Sequence, residues 1–321
     1  MQTTAVQKRP LGRTGLSIAP LVLGGNVFGW TADEATSFRL LDAFTDAGLD
    51  AIDTADSYSI WIPGHAGGES ETIIGNWLAK NPGKRDGIVL ITKVGADMGP
   101  GRRGLDPDRI AAAVEDSLRR LRTDRIDVYL AHFPDLSTPY ADTLGAFSRL
   151  VEAGKVRAIG ASNLDATQLA DALAAADAHG LPRYQVLQPG YNLLDRSRLE
   201  GPLLDRCLAE DIGVITYFSL AKGFLTGKYR SQDDLGKSPR GGGVADYLTP
   251  RGFAILGALD AVALRHDAAP AEVALAWVMA RPGIAAPIAS ATSLEQMASL
   301  VRATSLRLDP EDIAALDAAS S

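Results

Sequence analysis

The chain has 321 residues, 46% of them apolar and 22% charged, with a formal net charge of −7. That composition allows a large core under a soluble surface. The acidic balance, with no long run of Lys or Arg, argues against a nucleic-acid or anionic-membrane surface as the main function. A single cysteine excludes an intrachain disulfide and suits a reducing compartment. The first residues, MQTTAVQKRPLG, lack the apolar core of a signal peptide, and no stretch approaches the length of a membrane span. A cytoplasmic protein is expected.

In chain order, QKRPLGRTGLS is expected to form an N-terminal hairpin, turning between Gly12 and Gly15. Short runs rich in Val, Ile and Leu then alternate with helix-patterned segments: PLVLGG, LDAID, GIVLITKV, RIDVYLAH, KVRAIGAS, YQVLQ, GVITYFS and AAPIAS. Unbroken apolar runs suit parallel strands covered on both faces. After the first run, Thr31 and Glu34 form a candidate capping box before a face of Leu40, Leu41, Phe44 and Ala47. After the second, Glu69 and Glu71 stand in the first turn of a helix, where the dipole favours them. Asp106 and Pro107 supply an N-cap and first-turn proline ahead of Ile110, Val114, Leu118 and Leu121. Gly48, Gly154 and Gly213 sit near helix-to-strand junctions, where a left-handed C-cap is expected. Cys207 shares a helical face with Leu203, Leu204 and Leu208 and reads as a core residue rather than a reactive thiol. The polar, Gly-rich stretch TGKYRSQDDLGKSPRGGGVADYL after the seventh run is too long for a turn. AEVALAWVMARPG reads as an amphipathic helix before the last run.

Eight strand candidates alternating with helices predict an α/β protein. Its form is a single (β/α)8 TIM barrel over residues 1–321, with the hairpin in front, a long loop after strand 7 and extra C-terminal helices. An open doubly wound sheet is the alternative, but LVLGGNVFG lacks its G-x-G-x-x-G spacing.

In a parallel barrel, strand ends and the loops after them face the active site. Asp53, Lys93 and His132 each fall at the end of an apolar run, and Tyr58 lies just past the first of these. Carbonyl reduction needs a hydride at carbon and a proton at oxygen. A tyrosine, with an ordinary pKa of about 10, is a poor acid unless its phenolate is stabilised. A nearby lysine ammonium does this, and a carboxylate offsets the cost of burying the lysine. Singly, each residue has an ordinary use: a helix cap, a packed ring, a surface charge, a structural imidazole. Their joint placement at successive strand ends sets them apart. Asp53, Asp56, His65 and His132 lack the spacing of a metal site, so no metal is expected.

This set resembles the catalytic tetrad of the aldo-keto reductases, whose D-x-A-x-x-Y pattern is matched by Asp53, Ala55 and Tyr58. The resemblance runs from about residue 9 to about residue 318. It implies that Tyr58 is the acid, that Lys93 and Asp53 tune it, and that His132 orients the substrate carbonyl. It also implies a reduced nicotinamide cofactor, NADPH by preference with NADH as the alternative. Ser162, Asn163 and Gln188 would meet the carboxamide, although Ser162 and Asn163 also suit a helix cap. Tyr217 would stack on the nicotinamide. Phe218, Ser219, Leu220, Ala221, Lys222 and Gly223 continue that segment, and Phe218 stands where the family usually has proline. Ser290, Ala291, Thr292 and Gln296 match the segment that holds the adenosine 2′-phosphate, with neutral residues where many NADP-dependent members carry a cation. Lys222, Lys228 and Arg240 are the candidate cations for the phosphates. Phe28, Trp30, Trp61 and Phe133, in the loops after strands one, two and four, suggest an apolar pocket for a small carbonyl substrate. The potassium-channel β subunits, similar at the tetrad, make a cofactor-binding regulatory subunit the alternative function. Carbon–carbon double-bond reductases of the family carry Glu at the histidine position, and His132 argues against that chemistry. The sequence leaves the oligomeric state open.

Overall fold

The computed structural model describes residues 6–321. Two short strands, β1 (Arg9–Pro10) and β2 (Ser17–Ile18), pair antiparallel around a tight turn. Eight parallel strands follow and close into a barrel: β3 (Val22–Gly24), β4 (Ala51–Asp53), β5 (Val89–Val94), β6 (Ile126–Ala131), β7 (Val156–Ser162), β8 (Val186–Gln188), β9 (Gly213–Thr216) and β10 (Ile284–Ala289). The ring closes where β10 pairs with β3, Ile288 opposite Val22 and Ala289 opposite Leu23. All eight apolar runs of the sequence become barrel strands.

The helices are α1 (Glu34–Asp46), α2 (Glu69–Lys80), α3 (Pro107–Leu121), α4 (Tyr140–Glu152), α5 (Ala166–His179), α6 (Pro202–Ala209), α7 (Pro250–Arg265), α8 (Pro270–Met279), α9 (Leu294–Ala303) and α10 (Pro310–Ser320). Two apolar clusters result. The larger fills the space between strands and helices. The smaller fills the barrel interior, where Val22, Val89, Ile91, Val128, Leu130, Val186 and Ile215 meet Leu11, Leu16 and Ile18 of the hairpin. The hairpin therefore plugs the barrel floor, opposite the strand ends that carry the polar residues.

Several local expectations change. The N-cap of α1 is Asp33, whose carboxylate accepts from the Thr36 amide, so no Thr31–Glu34 box forms. An aspartate one residue before the helix reaches the free amides with less chain. Asp106 and Pro107 do start α3. Gly48 and Gly154 take positive φ, but Gly213 does not; Asp211 turns the chain there instead. Gly213 is required for another reason: a Cβ would lie 2.7 Å from the Gly12 amide nitrogen, where hairpin and barrel backbones touch. Helix α8 is not amphipathic. Every residue from Glu272 to Met279 is buried, because α7, α9, β10 and the loop after β9 all pack on it. On α6, Cys207 is buried as expected, while Leu208 faces solvent. Burial pushes the Cys207 thiol up to about 12, which suits an inert core residue. The polar stretch after β9 winds through three short 3-10 segments before α7, a helix the sequence pattern did not single out. Among the described residues no helix is long and apolar enough to cross a membrane.

Candidate active site

Each tetrad residue is delivered by a strand end. Asp53 closes β4, Lys93 is the penultimate residue of β5, and His132 directly follows β6; these strands are hydrogen-bonded neighbours. Tyr58 comes from the turn after β4, whose backbone is tied to β5 by Thr54 N to Ile91 O and Asp56 N to Lys93 O.

Lys93 is fully buried. Its ammonium donates to Asp53 Oδ2 at 2.7 Å, to the Thr54 carbonyl at 2.7 Å and to the Tyr58 hydroxyl at 2.8 Å. Three donors meet three acceptors, so the charged form is fully satisfied. Burial pulls the Lys93 pKa down, and the Asp53 carboxylate opposes that pull. Tyr58 donates to the same Asp53 oxygen at 3.2 Å. Burial first, and the Asp53 charge second, push the Tyr58 phenol well above its ordinary value. The resting site thus keeps the proton on Tyr58, contrary to the expectation that Lys93 simply acidifies it. The charge of Lys93 is largely balanced by Asp53, which leaves little net field to draw the proton off.

The second oxygen of Asp53 accepts from Gln188 Nε2 at 2.7 Å. Gln188 therefore braces Asp53 here, whereas the family pattern assigns it to the cofactor carboxamide. His132 makes no ring hydrogen bond among the described residues, and its Nδ1 is buried. Burial, then the Lys93 charge, hold its pKa well below the ordinary value, so the imidazole is neutral and offers one N–H. Its ring lies 6.0 Å from that of Tyr58 and stacks on Phe133 at 4.6 Å.

The aromatic candidates divide. Trp61 and Phe133 are each 46% exposed, and Trp30 packs edge-on against Trp61 at 5.6 Å, which in turn lies 6.2 Å from Tyr58. These three line the mouth. Phe28 is wholly enclosed in the outer core and does not reach it.

The segment expected to take the cofactor follows the remaining strands. Ser162 closes β7 and donates to the Gln188 carbonyl; Asn163 donates to the His132 carbonyl and to Ser162 Oγ, and accepts from the Tyr217 hydroxyl at 2.6 Å. The cap of α5 is Asp165, not Ser162 or Asn163. Tyr217, just past β9, is fixed by Asn163 and lies against Gly190, where a Cβ would come within 3.1 Å of its ring. Phe218 has φ of +52°, which a proline ring forbids, so the departure from the family residue goes with a left-handed turn. Phe218 is exposed and Leu220 partly so, while Ser219 and Ala221 are enclosed. Lys222 rests over Phe218, and both Lys222 and Lys228 lie close to the glycines of this loop, Gly243 and Gly223. Neither lysine has a carboxylate partner among the described residues. Arg240 goes elsewhere: its guanidinium sits 5.1 Å over the Trp30 ring.

Beyond β10, Ser290 donates to Asn26, and Ala291 is buried. Thr292 donates from both amide and hydroxyl to Gln296 Oε1, so the start of α9 is already partly capped. A cavity of about 230 Å³ beside it is lined by Thr36, Arg39, Leu40, Thr292, Ser293 and Leu294. Arg39, on α1, is a cation that the sequence order hides, being some 250 residues from its neighbours in this cavity. Two ion pairs behind the tetrad were also missed. Asp56 pairs with Arg109 at 2.7 Å, and buried Glu71 pairs with Arg120 at 2.7 Å and accepts from Thr92. The repeated aspartates of DTADSY were the available signal for the first.

With this geometry in place, the comparisons are direct. Residues 20–321 match the Aldo/keto reductase family. The chain is 35% identical to the uncharacterized oxidoreductase YrpG of Bacillus subtilis over 94% of its length and 92% of that protein. It is 32% identical to the aldo-keto reductase YhdN of the same organism, over 97% of this chain and 91% of that one. It is 30% identical to a probable voltage-gated potassium channel subunit beta of rice, Oryza sativa subsp. japonica, over 98% of this chain and 96% of that one. The chain belongs to the aldo/keto reductase family, whose enzymes are oxidoreductases acting on carbonyl groups with nicotinamide cofactors.

Proposed function

We propose that the protein reduces aldehydes or ketones to alcohols with NADPH, using Tyr58 as proton donor. The observation that carries this reading is the triangle of Asp53, Lys93 and Tyr58 at the barrel mouth, beside a neutral His132 with an N–H to give. The residues fit a dinucleotide. A tyrosine ring is held by its hydroxyl just past β9, and two lysines without ion-pair partners follow it. Tyr217 would hold the nicotinamide, Asn163 and Ser162 its carboxamide, and Lys222 and Lys228 the pyrophosphate. Arg39, beside Thr292, is the better candidate for the 2′-phosphate, since Arg240 is stacked on Trp30. The bound cofactor supplies a hydride.

The chain's own residues manage the proton. His132 donates to the carbonyl oxygen and fixes its direction. The Tyr58 hydroxyl turns from Asp53 to that oxygen and gives up its proton as negative charge develops there. Lys93 keeps its bond to the phenol oxygen throughout, so the phenolate forms against a cation already in place and little reorganisation is needed. Asp53, braced by Gln188, keeps Lys93 charged and aimed. Trp30, Trp61 and Phe133 exclude water around the reacting carbon.

Replacing Tyr58 with Phe tests this. Loss of general-acid catalysis should cost roughly 10²–10⁴-fold in turnover, with cofactor affinity nearly unchanged. Retention of more than about a tenth of wild-type turnover, where chemistry is rate-limiting, would overturn the assignment. The likeness to the rice channel subunit favours a second reading, a cofactor-binding partner subunit with little turnover. Multiple turnovers with a simple aldehyde reject it.

A further inference from the structure

The tetrad leaves one charged group at the mouth unused. Arg240 arrives from the loop after β9, its backbone anchored by Ser238, and lays its guanidinium on Trp30. Its Nη2 is buried and has no hydrogen-bond partner, and Arg240 makes no ion pair among the described residues. Trp30 leans on Trp61, and Trp61 on Tyr58, so the cation belongs to the same aromatic wall as the acid. It lies near enough to Tyr58 for its charge to act on the phenol, favouring the phenolate. Lys93 is balanced by Asp53. Arg240 thus adds a positive charge to a half-buried aromatic pocket without a counter-charge.

Burying a guanidinium with an idle donor is costly, and the stack on Trp30 uses its face but not its N–H fork. That fork matches a carboxylate or phosphate, to which it can donate two parallel bonds. We propose that Arg240 is a specificity-determining residue that receives an anionic group of the carbonyl substrate, so that the preferred substrates are aldehydes or ketones carrying a carboxylate or phosphate a few bonds from the carbonyl. This rests on the carbonyl-reductase reading above. The same fork would suit a phosphate of the cofactor, so the test separates the two sources.

The measurement compares 4-carboxybenzaldehyde with its neutral methyl ester, in wild type and in Arg240→Met and Arg240→Lys, alongside the affinity for NADPH alone. The expected wild-type preference for the acid, as kcat/KM, is at least about tenfold. Arg240→Met should collapse the acid-to-ester ratio to near one, chiefly through KM for the acid, and Arg240→Lys should retain part of it. NADPH affinity should not move. Equal kcat/KM for acid and ester in wild type overturns the proposal. So does weakening of NADPH binding by either variant together with an unchanged ratio, which would assign Arg240 to the cofactor. Should Arg240→Met fail to fold, the wild-type ratio and Arg240→Lys decide. If wild type turns over neither aldehyde, the reductase reading fails separately. Quenching of the Trp30 and Trp61 fluorescence by benzoate but not benzamide then still reports the anion site, and its absence removes it.

Discussion

Asp56 stands two residues before Tyr58, buried against Arg109, with its other oxygen unpartnered. Burial, followed by repulsion from Glu71, pushes its pKa up to about 7 despite Arg109. The sign follows from proton counting. Between about pH 4 and pH 7 the unfolded chain has lost this proton and the folded chain keeps it, so raising pH through that window favours unfolding. Asn imitates the protonated acid. Asp56→Asn should therefore gain stability relative to wild type as pH rises from 4 to 7, by a few kcal/mol at most on the order-of-magnitude scale of one pKa unit per 1.4 kcal/mol. Urea midpoints across that range read the difference; a constant offset would mean that Asp56 is ionised throughout. Arg39 carries a second prediction at this scale. A charge-assisted bond is stronger than a neutral one, so Arg39→Ala should weaken NADPH by about tenfold and NADH by much less. Fluorescence titration with both cofactors checks it, and equal weakening would remove Arg39 from the 2′-phosphate.

Helices α2 and α3 meet backbone to backbone at Gly75, where a Cβ would lie 2.0 Å from the Arg120 carbonyl oxygen. Gly75→Ala must push the helices apart and strain the Glu71–Arg120 pair one turn away. A loss of roughly 1–3 kcal/mol is expected, read as a lower denaturant midpoint; an unchanged midpoint would place the two helices out of contact. Gly75 was not legible in advance, because nothing in GGESETIIGNWL marks which face meets a partner helix closely. The strands were legible, since a run buried on both faces needs no partner to declare itself. The polar set at the strand ends was legible as a set: Asp53, Lys93 and His132 each end an apolar run, and a strand end in a barrel has one place to point. What failed were long-range side-chain positions. Gln188 bonds to Asp53 rather than standing free, Phe28 is swallowed by the core, Arg240 crosses to Trp30, and Arg39 approaches Thr292 from the other end of the chain. Such pairings depend on how a loop folds back, and local pattern carries no record of that.

At the scale of the molecule, the C-terminal helix is fastened to the barrel by Asp317. It accepts from Trp277 Nε1 at 3.0 Å, from Arg281 at 3.0 Å and from Arg196 at 3.3 Å, and both guanidiniums lie over the Trp277 ring. Asp317→Ala leaves those donors without their shared acceptor and should cost roughly 2–3 kcal/mol. Differential calorimetry should show the drop, with Asp317→Asn recovering part of it; no drop would mean that α10 adds nothing to barrel stability. The ring itself is sealed by the pairing of β10 with β3, the last barrel strand with the first. A chain still on the ribosome and not yet translated through β10 has seven strands and two bare edges, a template for sticking to its neighbours. The seam joins residues at opposite ends of the sequence, so this exposed interval lasts for nearly the whole of synthesis and ends at once. The protein's yield in a cell should then hinge on chaperone cover before release, more than on the strength of the finished barrel.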